Sequence, residues 1–215
     1  MTDQHGNPAP YKQPQQARSA ATLARVLRAA EEIASSGGLE EMTITGVAER
    51  AGVSVGTIYR RFDDKEQLVY ALTERMLDRR EEYVAERLDE AEPSLSGVMD
   101  AYAHALLQSF ADSGSLFPEL LRARGAKPLD RGGRTITRIH QLLLEAAAPY
   151  ADDIRRSDPQ RALDTAARAL LGACFHNSVR PDPATGEDAQ RRYADELSDM
   201  AVAYLSTPDR GAPRT

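Results

Sequence analysis

The spacing of the apolar side chains is the feature that most constrains the fold of this chain. In one segment they recur at steps of three and four residues, as Ile136, Ile139, Leu143, Ala146 and Tyr150. This spacing places them on one face of an α-helix, and other segments repeat the pattern. No segment alternates apolar and polar residues as a half-buried strand does. The sequence therefore predicts an all-α fold.

The same pattern, together with helix-stopping residues, divides the chain into predicted elements. The first helix begins at Ser19 and is stopped by Gly37 and Gly38, because glycine readily takes the left-handed conformation that ends helices. The other predicted helices are Thr45–Ala51, Val55–Arg61, Lys65 towards Glu90, Ser94–Ala111, Leu116–Ala123, the helix carrying 136–150, 160–180 and 187–206. Residues 124–134 are predicted to be a basic, Gly-rich break and residues 181–188 a loop.

Composition favours a soluble globular protein. Hydrophobic residues make up 41% of the 215 residues, which is enough to build a core. No run approaches the ~18 apolar residues of a membrane span, and the N-terminus has no apolar signal region. The single cysteine, Cys174, forms no internal disulfide, and we expect a buried, inert thiol there in preference to a redox sensor. The predicted location is cytoplasmic, with no membrane partner.

The charge distribution limits how the chain can bind nucleic acid. The net charge is −6, which argues against a binder that relies on a broad positive field. Residues 18–65 carry seven basic and seven acidic side chains, whereas residues 66–206 carry 17 and 24. Three basic side chains of the first segment cluster at Arg60, Arg61 and Lys65. Any DNA contact must therefore be local and depend on geometry.

The two short helices at 45–51 and 55–61 are the most informative segment. A helix of about seven residues is unstable alone, so neighbours must hold it. Gly52 allows a sharp turn between the two helices, and the Ser54 hydroxyl can cap the second. This arrangement is typical of a helix-turn-helix, whose second helix enters a DNA major groove. The alternative is a small helical bundle in which these residues only form a turn and contact solvent.

Residues 42–68, MTITGVAERAGVSVGTIYRRFDDKEQL, closely resemble the DNA-binding domain of TetR-type (TetR/AcrR) transcriptional regulators. The string AGVS-x-GT-[IL]-Y-x-x-F-x-x-K-x-x-L is highly specific to that family, and the resemblance in detail covers about residues 19–70. It implies an N-terminal three-helix DNA-binding domain with a helix-turn-helix, followed by a larger C-terminal helical domain for ligand binding and dimerisation. The domains expected are a disordered N-terminal arm at 1–17, the DNA-binding domain at 18–65 with its motif at about 43–62, the sensing and dimerisation domain at 66–206, and a flexible tail at 207–215.

The resemblance also implies which residues contact DNA. The positions that match are Thr43, Thr45, Ser54, Val55, Gly56, Thr57, Tyr59, Arg60, Arg61 and Lys65. Tyr59 and Lys65 match family residues that reach the phosphate backbone, whereas the positions of Arg60 and Arg61 vary in the family. Val55 is a departure, since a polar or basic residue often stands there; valine can contact only a thymine methyl. Phe62 is expected in the core.

The expected partners are operator DNA, a second copy of the chain and a small-molecule effector. The resemblance implies a homodimer through 160–180 and 187–206, where Ala166, Ala167, Ala169, Gly172 and Ala173 would permit close approach; core packing within one chain explains those stripes equally well. Candidate ligand-binding residues are Tyr102, Phe110, Phe117, His140, Leu143, Phe175 and His176, each of which can instead be an ordinary core residue.

No set of residues in the sequence predicts catalysis, a cofactor or a metal site. His5, His104, His140 and His176 lie in the tail and on different predicted helices, and no metalloprotease, phosphate-loop or nucleophile-elbow motif occurs. The sequence therefore predicts a ligand-responsive DNA-binding regulator, a repressor that a small molecule releases from its operator. The alternative is a small-molecule-binding or structural helical protein that does not bind DNA.

Overall fold

The computed structural model describes residues 13–111, 129–179 and 186–209. Over these residues the chain is all-α, as predicted, and contains no strand. Its helices are α1 (Gln13–Glu41), α2 (Ile44–Ala51), α3 (Val55–Tyr59), α4 (Lys65–Asp89), α5 (Leu95–Ala111), α6 (Leu129–Ala147), a 3-10 helix (Ala148–Asp153), α7 (Pro159–Val179) and α8 (Glu187–Leu205). The predicted helix Leu116–Ala123 and most of the predicted loop at 181–188 lie outside the described residues.

The chain divides into two compact units, one ending at Leu72 and the other beginning at Thr73. The division falls inside α4. The sequence places it seven residues earlier, at the first turn of that helix.

The smaller unit is held by a core that α1, α2, α3 and the start of α4 share. Its most buried side chains are Val26, Ala30, Ala34, Met42, Val47, Ala48, Ile58, Leu68 and Leu72. The boundaries of α1 correct the prediction. It begins at Gln13, ahead of Ser19 and inside the segment expected to be disordered. The predicted stop is partly correct, because the helical geometry breaks at Gly38, but a further helical turn continues to Glu41. Gly38 kinks it, with φ 79° and ψ 171°, because a glycine has no Cβ to oppose a positive φ.

The larger unit is built around α5, which packs against α6, α7 and α8. Tyr102, Met99, Ala103 and Leu106 of α5 are almost completely buried. Each fully buried large apolar side chain contributes about 1.5–3 kcal/mol relative to exposure. The interior of α5 therefore accounts for much of the stability of this unit.

Helix α6 begins earlier than predicted, and a different set of its residues is buried. It begins at Leu129, so the second half of the predicted break is helical. Ile139 and Leu143 are buried as predicted, but Ile136 is 50% exposed and Thr135 takes the buried position at 2%. The Thr135 hydroxyl donates to the carboxylate of Glu81 over 2.7 Å. A hydrogen-bonded threonine can be buried at little cost, so the buried stripe follows steps of four from residue 135.

The interior of the larger unit holds the only cysteine. Cys174 is fully buried, as expected, and burial raises the pKa of its thiol to about 12. The thiol is therefore protonated and unreactive at neutral pH. Across the described helices, none combines the length and hydrophobicity that crossing a membrane requires.

Candidate nucleic-acid interface

Helix α2 is fixed at both ends by local chemistry. At its N-terminus the Thr43 hydroxyl oxygen accepts from the Gly46 amide over 3.0 Å. At its C-terminus Gly52 adopts φ 64° and ψ 42°, which is left-handed backbone. Glycine takes that conformation without the steric cost of other residues. The chain can therefore reverse between α2 and α3 within three residues.

Helix α3 is a single turn that begins as predicted. The Ser54 side-chain oxygen accepts from the Thr57 amide over 3.2 Å, and the two hydroxyl oxygens of Ser54 and Thr57 lie 2.9 Å apart. An Nη2 donor of Arg60 reaches the Thr57 hydroxyl oxygen over 3.1 Å. The helix ends at Tyr59, so Arg60 and Arg61 lie in the turn that follows, whereas the sequence predicted a helix that includes them, Val55–Arg61. Ser54, Thr57 and Arg60 thus form one hydrogen-bonded chain along α3.

The two sides of α3 differ in character. Ile58 is completely buried and Phe62 is 7% exposed, which confirms that Phe62 belongs to the core. On the outer side Tyr59 is 52% exposed. Of the predicted DNA-contacting residues, Thr43, Thr45, Ser54, Gly56, Tyr59, Arg60 and Arg61 are exposed, and Val55, Thr57 and Lys65 are half-buried.

Gly56 occupies an open position on the exposed side. A Cβ built at Gly56 would meet only the Ser54 Oγ, at 3.9 Å, which is ordinary van der Waals contact. Packing within the smaller unit therefore does not require a glycine there. The absence of a side chain instead leaves the backbone of α3 accessible from outside.

Two of the predicted basic contacts are anchored to other parts of the smaller unit. An Nη2 donor of Arg61 binds the Ser19 carbonyl of α1 over 2.9 Å and also the Ser19 hydroxyl. The Lys65 Nζ donates to the Leu39 carbonyl over 2.6 Å. An ammonium has three donors, so one bond to Leu39 orients Lys65 without exhausting it. These bonds connect the turn after α3 and the start of α4 to α1.

The predicted ligand-binding residues do not form one cluster. Tyr102, Phe110 and Leu143 belong to the core of the larger unit, while Phe175 and His176 are exposed and Phe117 lies outside the described residues. Phe110 and Phe175 make an edge contact with ring centroids 6.1 Å apart. His140 is paired with Asp164 over 3.0 Å.

Two features of the larger unit were missed by sequence reasoning. One is a cavity of about 550 Å³ between α5 and α8, lined by His104, Leu107, Gln108, Ala111, Glu187, Gln190, Arg191 and Ala194. The other is Arg80, which donates to the Ser109 carbonyl over 3.1 Å and lies 4.3 Å from the Phe110 ring centroid. Burial lowers the pKa of Arg80 to about 10. Both depend on contacts between residues far apart in the chain, which no local spacing reveals.

Comparison with known proteins places the helix-turn-helix in a family. Residues 26–72 match the model of bacterial regulatory proteins of the tetR family. Over 55 residues the chain is 46% identical to the HTH-type transcriptional repressor KstR of Mycolicibacterium smegmatis and 44% identical to KstR of Rhodococcus jostii. The matched stretch is 26% of this chain and spans only 27% and 26% of those repressors, respectively.

Solved structures share the fold over most of the chain. A TetR-family transcriptional regulator from Mesorhizobium loti has a TM-score of 0.60 at 19% identity, covering 86% of this chain and 97% of its own. The superantigen PfiT has a TM-score of 0.62 at 20% identity, covering 83% and 95%. At such low identity these likenesses establish the all-α architecture alone. Residues 26–72 therefore carry the domain that the tetR-family model describes, and the solved structures show an all-α fold shared by most of the chain.

Proposed function

We propose that this protein is a cytoplasmic DNA-binding transcriptional regulator, a repressor that a small molecule releases from its operator. The observation that carries the proposal is the two-sided character of α3. Its inner side is fixed by Ile58, whereas its outer side presents Ser54, Thr57, Tyr59 and Arg60. These outer side chains do not contribute to the core. Their hydroxyl and guanidinium groups can instead bind the phosphates and base edges of DNA.

The proposed contacts divide between backbone and bases. Tyr59, Lys65 and Thr43 reach phosphate, which sets the register of α3 on the duplex. Thr57 and Arg60 face base edges, and Val55 contacts a thymine methyl. Lys65 is the one cation assigned to phosphate in this proposal, so few counterions are released on binding, and the salt dependence is modest for a DNA-binding protein.

The protein acts as a homodimer in this proposal, because recognition helices read half-sites in pairs. The segments 160–180 and 187–206 remain the proposed interface, with one correction. Ala166 and Ala167 are 4% and 1% exposed, so they pack inside their own chain and cannot contact a partner. The exposed small residues of α7 are Ala169 and Gly172, and Phe175 lies one turn further along at 42% exposure.

Release by an effector is a shift between two states of the dimer. A small molecule in the larger unit favours the state that fits the operator poorly. A coupling of about 1–3 kcal/mol changes operator affinity about 5–150-fold. The seven candidate residues stay predictions for that site, and no catalytic step is part of the proposal.

A binding experiment tests the proposal against its alternative, a helical protein that does not bind DNA. The alternative is worth testing because the superantigen PfiT has a similar fold, and one fold can serve unrelated functions. Gel shifts use the DNA that flanks the protein's own coding region and a random-sequence pool carried through selection. We expect a selected fragment to bind about 1,000-fold or more tightly than unrelated DNA. If no fragment is enriched and all bind only at about 1–100 µM, the alternative is correct.

A further inference from the structure

Three metal-ligating side chains meet between α5 and α8 of the larger unit. Asp100 and His104 lie one turn apart on α5, and Asp195 lies on α8. The His104 Nε2 is 2.8 Å from an Asp195 oxygen and 3.5 Å from an Asp100 oxygen. One donor atom from each residue lies within 4.8 Å of the other two.

The cluster has more negative than positive groups, because one histidine faces two carboxylates. The single Nε2 of His104 faces two carboxylates and can donate at most one proton to them. A second pair in the same unit is different, because Asp164 accepts from His140 and also from Arg168 over 2.9 Å. Among the described residues, neither Asp100 nor Asp195 has a lysine or arginine partner. Two carboxylates therefore share one imidazole, which leaves a negative charge that a cation would balance.

We propose that Asp100, His104 and Asp195 bind one divalent transition-metal ion, with Zn²⁺ as the best match. Zinc accepts imidazole nitrogen and carboxylate oxygen at about 2.0–2.2 Å, so tetrahedral donors lie about 3.4 Å apart. The pair on α5 already has that separation. To bind the ion, Nε2 of His104 must give up its proton, which is released to solvent or carried by Nδ1 instead. Asp195 must retreat from His104 by about half an ångström, and the ligand oxygens of Asp100 and Asp195, which lie within 4.8 Å of each other, must reach the same spacing. Both carboxylates are more than half exposed, so their side chains can rotate to do so.

The surroundings suit three protein ligands and an open fourth position. Buried neighbours on both helices, among them Met99, Ala103 and Leu197, fix the backbones that carry the ligands. His104 also lines the cavity of about 550 Å³ between α5 and α8, so water can reach the ion from that side. The bound ion would connect α5 to α8 and stabilise the larger unit. Sequence reasoning predicts no metal here because the third ligand comes from a helix 91 residues further along the chain.

The test uses the full-length protein, stripped with a chelator and titrated with ZnCl₂ by calorimetry and by thermal melting. We expect one ion per chain and a Tm that rises with Zn²⁺ concentration. Asp195→Asn keeps an acceptor for His104 but removes the charged ligand, so affinity should fall at least about tenfold. Asp100 is further from His104 than Asp195 is, at 3.5 Å against 2.8 Å. Asp100→Asn should therefore lower Zn²⁺ affinity by a similar factor while the stability of the metal-free protein stays unchanged.

Asp164→Asn is the matched control, because it removes a carboxylate from the other histidine pair of the same unit. It should bind Zn²⁺ as tightly as the parent. The proposal is overturned if the parent binds no Zn²⁺ at a free concentration on the order of 100 µM, which would fill even a weak site. It is equally overturned if both triad variants bind like the parent, or if Asp164→Asn loses as much affinity as they do.

Discussion

In the proposed function, Gly56 serves DNA recognition and is not needed for folding. Its position has room for a side chain, and a non-glycine residue is the better helix former by up to about 1 kcal/mol. We therefore predict that Gly56→Leu folds with a Tm equal to or above that of the parent. The bulky side chain should nevertheless obstruct the groove and abolish operator binding in a gel shift.

Gly52→Ala is the control for Gly56→Leu. Its φ of 64° is left-handed, so a Cβ there costs roughly 1–2 kcal/mol of stability. Thermal melting should show a lower Tm for this variant and not for Gly56→Leu. An unfolded Gly56→Leu would mean that the glycine serves packing, and full DNA binding would mean that α3 is not the recognition helix.

The buried thiol of Cys174 should affect how the stability of the fold changes at alkaline pH. Burial raises the pKa of its thiol from 9.0 to about 12, so the folded state holds a proton that the unfolded state releases first. Its contribution is fully present below about pH 9 and is lost as pH rises towards 12. Denaturant unfolding at pH 8 and pH 10.5 should therefore show a smaller pH-dependent loss for Cys174→Ala than for the parent. An identical loss in both proteins would show that the thiol ionises normally in the fold.

At the level of elements, Lys65 connects the start of α4 to the end of α1 and is also a proposed phosphate ligand. Lys65→Ala should weaken binding to all DNA sequences and reduce the slope of log affinity against log salt by about one per chain. Tyr59→Phe should weaken binding in the same non-specific way. Arg50→Ala is a matched control, because Arg50 is an exposed cation of the same unit that pairs with Glu32. If the slope of log affinity against log salt is unchanged for Lys65→Ala, then Lys65 does not contact phosphate.

The elements also show where local sequence is sufficient. Ser54 and Gly52 act within four residues of their partners, so the turn and the cap of α3 follow from the sequence. The register of α6 does not, because Thr135 is buried by a hydrogen bond to Glu81, 54 residues away. The pairing of His104 with Asp195 is equally distant in sequence. These two differences come from long-range polar contacts, which periodicity cannot detect.

For the whole molecule, the proposed dimer gives the next prediction. The exposed side of α7 carries Gly172 in open space, so Gly172→Glu should fold normally. A charge placed in the proposed interface, which should bury on the order of 2,000 Å², should shift the protein to a monomer in light scattering. Gly133→Glu on α6, also in open space, is the control and should remain dimeric. A monomeric parent at micromolar concentration would remove the interface from the proposal.

The single-turn length of α3 has a consequence for how such a protein can change its target. Only Ile58 of this helix is buried, so the remaining positions can vary while the core stays intact. Mutations that alter operator choice therefore need few compensating changes elsewhere. In the proposed function, a lineage could acquire a new regulon through substitutions at Val55 and Arg60 while keeping its fold. For the same reason, a library randomised at these two positions, with Gly56 kept, should consist mainly of folded proteins that differ in the DNA they select.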